Sequence, residues 1–445
     1  MDREEELRAL SSLSPPSFAV VYGRRRVGKT RLLREWIGNK KAVYYYSQLA
    51  THETNLNELA RKASKELGDP MLARLKFESL RDLLELIALR MGDGIIVIDE
   101  LGFWIRGDSR VLSELQEFVD LVLPKTNVIL VVTSSLMSVF VRGVLGGGSP
   151  LYARTSLRLH LKPLSFEHLK EFMPSWKAEE RLKLYSMVGG IPYYLCLARR
   201  SLEETLEYFL GLGGPLRDEK DLLLSEEFRD PSSYSSVLSA LAKGYRRITE
   251  ISQVTGLDKG HVSKILNTLE TLGYVRKEKV LFTKRSLYEV ADPVLRFWYS
   301  CIEENLELLE LNFGEGLKEV SRCLEVLVPK VWEEVVGEWV VKNYSKLGFS
   351  EVGRAIKGRE ELDVVALNEK EKRALVVEVK WSELSDSEYE KVKKNTLRKA
   401  ALIVPRKYEV EVMIACLNNE KCLKPEDVES SSQQFNPFEP HAKGL

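Results

Sequence analysis

At 445 residues and 44% apolar content, the chain is long enough for about three domains with cores of their own. Lys+Arg and Asp+Glu balance at 66 each, so no global field drives it onto nucleic acid or a membrane, and any basic surface must be local. Five scattered cysteines (Cys196, Cys301, Cys323, Cys416, Cys422) argue against a disulfide framework or zinc site, and no apolar run reaches the ~18 residues of a membrane span, so a reducing, cytoplasmic setting is expected.

Residues 2–10 open like a short helix, and Pro15-Pro16 break the chain before an apolar strand, Phe18–Tyr22. Next comes Gly23-Arg24-Arg25-Arg26-Val27-Gly28-Lys29-Thr30, with an amphipathic helix starting at Lys29. The G-x-x-x-x-G-K-[ST] spacing bares backbone N–H groups to phosphate, lets Lys29 reach the terminal phosphates of ATP and puts the Thr30 hydroxyl on Mg²⁺. The helix N-terminus adds partial positive charge.

A second strand is expected at Ala42–Tyr46, then helices near 54–67 and 77–90. Gly94-Ile-Ile-Val-Ile-Asp99-Glu100 reads as a buried parallel strand delivering Asp99 to the metal shell and Glu100 to the attacking water. Asn127–Thr133 is the next buried strand, and Thr133 or Ser134 at its tip either senses the γ-phosphate or caps the following helix. Gly146–Gly148 form a loop before Leu151-Tyr152-Ala153-Arg154, where Arg154 either stabilises transition-state charge, in its own subunit or a neighbour's, or is a solvated surface arginine.

The opening Asp-Arg-Glu-Glu-Glu-Leu, the Tyr22–Thr30 loop, Leu-Tyr-x-Arg at 151–154 and Gly189-Gly-Ile-Pro192-Tyr-Tyr194 together resemble the archaeal ATPase family, a relative of the AAA+ and STAND ATPases. The family's usual glycine before the arginine is Ala153 here. This resemblance implies a P-loop core in which the Asn127–Thr133 strand lies between the other two, with a helical lid over 165–213 whose Pro192 approaches the adenine. Core and lid are taken as residues 1–215.

Gly211-Leu-Gly-Gly-Pro215 is the clearest linker. Beyond it, within 216–300, helical patterns at 248–256 and 259–272 flank a Thr255–Asp258 turn, and Tyr274–Thr283 reads as a hairpin, the order of a winged helix-turn-helix. Between 243 and 285 ten Lys/Arg face four Asp/Glu, a net of +6 that marks a local phosphate-binding footprint. His261, Ser263, Lys264 and Asn267 occupy the exposed face of the second helix. DNA is the expected partner, with packing on the nucleotide domain or a protein partner as the alternative. Tyr288–Tyr299 resembles the segment ending this module in the same family, with its aromatics in the core.

Within 301–424 the pattern from Pro329 runs helix (to about Lys346), strands at 351–356, 361–367 and 374–380, helix 386–397 and strand 400–404, the order of a restriction-endonuclease-like core. Asp363 and the Glu378-Val-Lys380 pair resemble the PD-(D/E)xK nucleases, which implies Mg²⁺ held by Asp363 and Glu378, with Glu338 (or Glu334, one turn away) from the helix and Lys380 helping to activate water. A structural Glu378–Lys380 salt bridge is the alternative. From 425 to 445 a disordered tail is expected. The fold class is therefore α/β: a P-loop NTPase core with helical lid, a winged helix and a nuclease-like α/β domain. The expected function is a Mg²⁺-dependent ATPase coupled to a DNA-associated module, or a slow STAND-type switch whose C-terminal modules bind protein. A homo-oligomer stays open, and no membrane partner is expected.

Overall fold

In this computed structural model, which describes residues 3–145, 149, 151–283, 285–344 and 348–430, five strands form one sheet, and all but the last, the alternating edge strand Leu157–His160, are mostly apolar runs. They are β1 (Ser17–Tyr22), β2 (Ala42–Tyr46), β3 (Asp93–Asp99), β4 (Asn127–Ser134) and β5 (Leu157–His160). They pair in parallel in the order β2-β3-β4-β1-β5. Successive side chains of a strand point to opposite faces, and the two cores divide accordingly. Phe18, Val20, Ile96, Ile98, Leu130 and Val132 pack on one side, while Ala19, Val21, Ile95, Val97, Ile129 and Val131 pack on the other. Burial on both faces is what such continuous apolar strands require. β4 lies between β3 and β1, so the ends of the three chemistry-bearing strands sit side by side.

The chain divides into two units. The first comprises Met1–Pro163, Ile191–Tyr193 and Ser225–Arg229, and the second the remainder. In the second unit, helices Ser232–Ala242, Ile248–Thr255 and Lys259–Thr271 precede an antiparallel hairpin, β6 (Val275–Leu281) and β7 (Ser286–Val290). The expected hairpin thus extends seven residues further than Thr283. Asp258 accepts the His261 N–H at 3.0 Å to cap the third helix, and Val262, Ile265, Leu266 and Leu269 bury its inner face. His261, Lys264 and Asn267 are exposed and Ser263 half-buried, as the helical period predicts. Phe297, Trp298 and Tyr299 are buried in the core.

Strands β8 (Glu351–Lys357), β9 (Glu360–Asn368), β10 (Arg373–Val379) and β11 (Glu409–Ala415) complete a six-stranded sheet in the order β11-β10-β9-β8-β6-β7. The wing therefore does not hang free. β6 pairs in parallel with β8 through Val280 and Leu281, and Lys279 reaches Glu351 at 2.6 Å. The strand expected at 400–404 is instead the end of the helix Asp386–Ile403. Its Ala-Leu-Ile run is too short for period alone to separate strand from helix, and Pro405 stops the helix by forcing Val404 into an extended conformation. The long helix Phe313–Tyr344 begins sixteen residues before Pro329 and carries that proline inside it.

Two further expectations change. Cys301 pairs with Cys323, and Cys416 with Cys422, leaving Cys196 as the free thiol among the described residues. Scattered spacing hid this because the segment Trp298–Ile302 and the long helix pack together in space. Paired cysteines occur inside hyperthermophile cells as well as outside cells, so the thiol count carries no compartment. The tail, secondly, opens with a helix, Pro425–Glu429, whose Glu429 is buried against Arg181 at 2.5 Å; residues 431–445 lie outside the described residues. No described helix is long and apolar enough to cross a membrane.

A chain of ion pairs ties hairpin, long helix and β8 together. Glu289, buried on β7, meets Arg246, Arg276 at 2.7 Å and Lys330 at 3.4 Å. Glu334 takes Arg276 at 2.7 Å and Arg296 at 2.5 Å. Arg354 of β8 takes Glu333 at 2.7 Å and Glu278 at 3.5 Å. Burial alone would raise the Glu289 carboxyl, but Lys330, Arg276 and Arg246 outweigh it and hold it down at about 2. A depressed carboxyl adds stability above its unfolded value of 4.5, and that stability is lost as pH falls towards about 2. Glu289→Gln should cost about 3–5 kcal/mol at neutral pH, the usual range for breaking a buried ion pair. Melting curves of the two proteins should converge as the pH drops through that window, and curves that stay parallel would contradict the role given to Glu289.

Candidate functional site

The phosphate loop leaves β1 at Gly23, whose backbone passes so close to the carbonyl of Leu161 that a Cβ would sit 2.3 Å from it. It ends at Gly28, which caps the helix Lys29–Ile37 with a φ of 98° that only glycine adopts without strain. Between them, Val27 is buried and Arg26 lies 4.5 Å over the ring of Tyr193. Lys29 is buried, and its Nζ donates to the carbonyls of Gly23 at 2.9 Å and Arg24 at 3.3 Å. Burial pulls its pKa down, with Glu100 and Asp99 opposing. Lys29 thus holds the loop's own carbonyls from within, in the position from which a lysine of this motif reaches phosphate.

Asp99, fully buried at the tip of β3, is surrounded by hydroxyls. Its Oδ2 accepts from Thr30 Oγ1 at 2.8 Å and from the Tyr44 hydroxyl, and its Oδ1 accepts from Thr133 Oγ1. The Tyr44 phenol is pushed far up by burial and then by the charge of Asp99, so it remains a donor. A buried carboxylate beside a threonine hydroxyl suits a hard cation that takes oxygen ligands, and Thr30 and Asp99 therefore fit Mg²⁺.

Glu100 starts the helix Leu101–Gly107 with a left-handed φ of 55°. Its Oε2 accepts from both the N–H and the hydroxyl of Ser135, at 2.6 and 2.9 Å, while Oε1 lies 3.7 Å from Lys29 Nζ. The tip of β4 thus divides its roles. Thr133 touches Asp99 and also accepts the Glu100 N–H at 3.3 Å, whereas Ser134 Oγ accepts the Leu136 N–H at 3.0 Å, a local capping bond. Ser135 was not singled out by the sequence; its only signal was its place in a polar run after an apolar strand.

Arg154 lies on a short turn, Tyr152–Arg154, and pairs with Asp120 at the surface, so it is not gathered with Lys29, Asp99 and Glu100. Gly146–Gly148 fall outside the described residues. Pro192 opens a helical turn, and Ile191–Tyr193 group with the ATPase unit, where Tyr193 meets Arg26. Arg25 pairs with Glu226.

In the C-terminal domain Asp363 (β9) and Glu378 (β10) come together. Asp363 Oδ2 accepts the Val379 N–H at 2.9 Å, and burial followed by the charge of Glu378 raises its pKa. Glu378 Oε1 takes both Lys380 and Lys399 at 2.9 Å, while its buried Oε2 has no hydrogen-bond partner. The orphaned oxygen fits a cation, but no three His, Cys, Asp or Glu side chains among the described residues stand close enough to hold a metal ion. Glu338 lines a cavity of about 140 Å³ with Asp363, yet does not complete such a cluster. The helix glutamate that feels Asp363 is Glu333, raised to about 7 by burial and then by Asp363. Glu334 and Glu338 do share a helix face, as expected, but Glu334 is held by Arg276 and Arg296, and both glutamates act on Tyr185. The expected three-carboxylate metal set of Asp363, Glu378 and Glu338 is therefore not assembled, and no cleavage step is derived from it. Arg276, one of the ten basic residues of the winged helix, is likewise committed to Glu289 and Glu334.

Three family profiles match: an ATPase domain predominantly from Archaea over residues 1–198, an IclR helix-turn-helix domain over 235–279, and a group of archaeal and bacterial proteins of unknown function over 298–392. The uncharacterized protein MJECL04 of Methanocaldococcus jannaschii is 32% identical over 421 residues, covering 92% of this chain and 93% of its own. Among solved structures, the Walker-type ATPase paby2304 of Pyrococcus abyssi shares the fold with a TM-score of 0.53 and 23% identity, over 67% of this chain and 95% of that one. With the phosphate loop, the Asp99-Glu100 strand end and a relative this similar along nearly its whole length, the chain belongs to the archaeal ATPase family.

Proposed function

We propose that the protein hydrolyses ATP with Mg²⁺ and couples that reaction to DNA held by its winged helix. The observation that carries the reading is the Lys29–Asp99–Glu100 cluster at adjacent strand ends, with Ser135 on Glu100. On this reading Lys29 leaves the loop carbonyls for the β- and γ-phosphates, and Thr30 and Asp99 hold the metal, which supplies charge neutralisation on the phosphates. Glu100 takes the proton of the attacking water. Glu100→Gln keeps a side chain that can orient water but not accept its proton. It should bind ATP like wild type and lose turnover by roughly 100-fold or more. Residual turnover above about a tenth of wild type would show that Glu100 is not the base.

DNA is favoured over a protein partner because the exposed residues of the third helix include Lys259, His261 and Lys264, whereas the inward-facing basic residues Arg246 and Arg276 are neutralised by Glu278, Glu289 and Glu334. The wing is paired to β8, so groove contact falls to the helix. The C-terminal cluster is assigned to recognition, because Lys380 and Lys399 both occupy Glu378. Lys259→Ala/Lys264→Ala should weaken binding to any duplex and reduce the salt slope by about one unit per lost contact. An unchanged slope would mark the surface as a protein-docking face. Nicked product in the same reactions with Mn²⁺ would return the cluster to nuclease chemistry.

A further inference from the structure

The segment Ser225–Arg229 belongs to the ATPase unit although it lies far along the chain. Glu226 pairs with Arg25 of the phosphate loop, 201 positions earlier, and its carbonyl accepts from Arg106 at 2.7 Å. Glu227 is buried, and its two carboxylate oxygens accept the N–H groups of Met137 at 3.0 Å and Ser138 at 2.9 Å. The Ser138 hydroxyl donates to the Glu227 carbonyl at 3.0 Å. Burial raises the Glu227 pKa, and the Ser138 and Met137 donors pull against it. A carboxylate so deeply placed is tolerated because these donors face it.

The two amides held by Glu227 open the turn immediately after Ser135, whose N–H and hydroxyl both reach Glu100 Oε2. A continuous line of buried contacts therefore runs from Glu227 through the turn at 135–138 to the carboxylate at the strand end. Lys29, the other neighbour of Glu100, is needed by phosphate once nucleotide binds, which leaves Ser135 as the anchor.

We propose that Ser135 and Glu227 are positioning residues for ATP hydrolysis: Ser135 holds Glu100 in place, and Glu227 fixes the turn that presents Ser135. This rests on the reading of Glu100 as the base. Neither residue belongs to the phosphate loop, so their loss falls on kcat rather than on ATP binding.

The test is steady-state ATP turnover of the full chain, with ATP affinity measured by calorimetry, for Ser135→Ala, Ser135→Thr, Glu227→Gln and the double variant Ser135→Ala/Glu227→Gln. Ser135→Ala and Glu227→Gln should each lower kcat by roughly 10–100-fold, the scale of a misplaced catalytic group, with KM and ATP affinity within about twofold of wild type. Ser135→Thr, which keeps the hydroxyl, should recover most of the loss. Residues acting as one unit are non-additive, so the double variant should be little worse than the worse single. A Ser135→Ala kcat within about twofold of wild type, or a matching loss of ATP affinity, overturns the proposal even if Glu227→Gln fails to fold. The Glu100→Gln control separates the two readings. If that variant is dead and Ser135→Ala is normal, only the present proposal falls; if Glu100→Gln turns over like wild type, both do.

Discussion

Two carboxylates at the end of one strand, Asp99 and Glu100, set the terms for the ATPase unit. Both are buried, and a carboxylate removed from water is tolerated only where donors or cations surround it. The neighbouring elements supply them: Thr30 from the phosphate-loop helix, Tyr44 from β2, Thr133 from β4, Ser135 just past the end of β4, and Lys29 at 3.7 Å. The strand order follows the same need, since β4 must lie beside β3 to bring its hydroxyls to those oxygens. A site of this kind is prepared for charge before nucleotide arrives, and preorganised dipoles are worth most in a water-poor setting.

The second unit is governed by a comparable constraint in a different form. Its winged helix and C-terminal domain share one sheet, and the junction is lined by buried arginine–glutamate pairs rather than by apolar contacts alone. Buried ion pairs add little net stability, but breaking one leaves a charge stranded. Such a junction is intolerant of sliding and makes hairpin, long helix and β8 a single mechanical element.

Much of this was legible in the residues because period and turn chemistry are local. The unbroken apolar runs Phe18–Val21 and Ile95–Ile98 predict strands buried on two faces, and Gly28-Lys29-Thr30 predicts a helix start that binds phosphate. Ser135 was not legible, because its partner is 35 residues away and depends on strand order. Glu226 and Glu227 were not legible either, since a pair of glutamates in a charged helix reads as a solvated face until the fold shows what covers it. The helix glutamates were legible as a shared face, Glu334 and Glu338, but not the pairing of Glu334 with Arg276 and Arg296, which come from elements far away in the sequence. The cysteine pairs and the 400–404 strand failed because spacing and short apolar runs carry no tertiary information.

If the protein works as proposed, nucleotide state and DNA binding are coupled through one chain. Linkage makes that claim measurable from the DNA side, since any effect of DNA on nucleotide binding requires an equal effect of nucleotide on DNA. The direct measurement is the dissociation constant for a fixed duplex at one salt concentration, taken with ATP on the Glu100→Gln protein and with ADP on the wild type. Coupling should make the two affinities differ by about fivefold or more, the lower end of typical allosteric coupling. Equal affinities in the two states, or no binding in either, would contradict it.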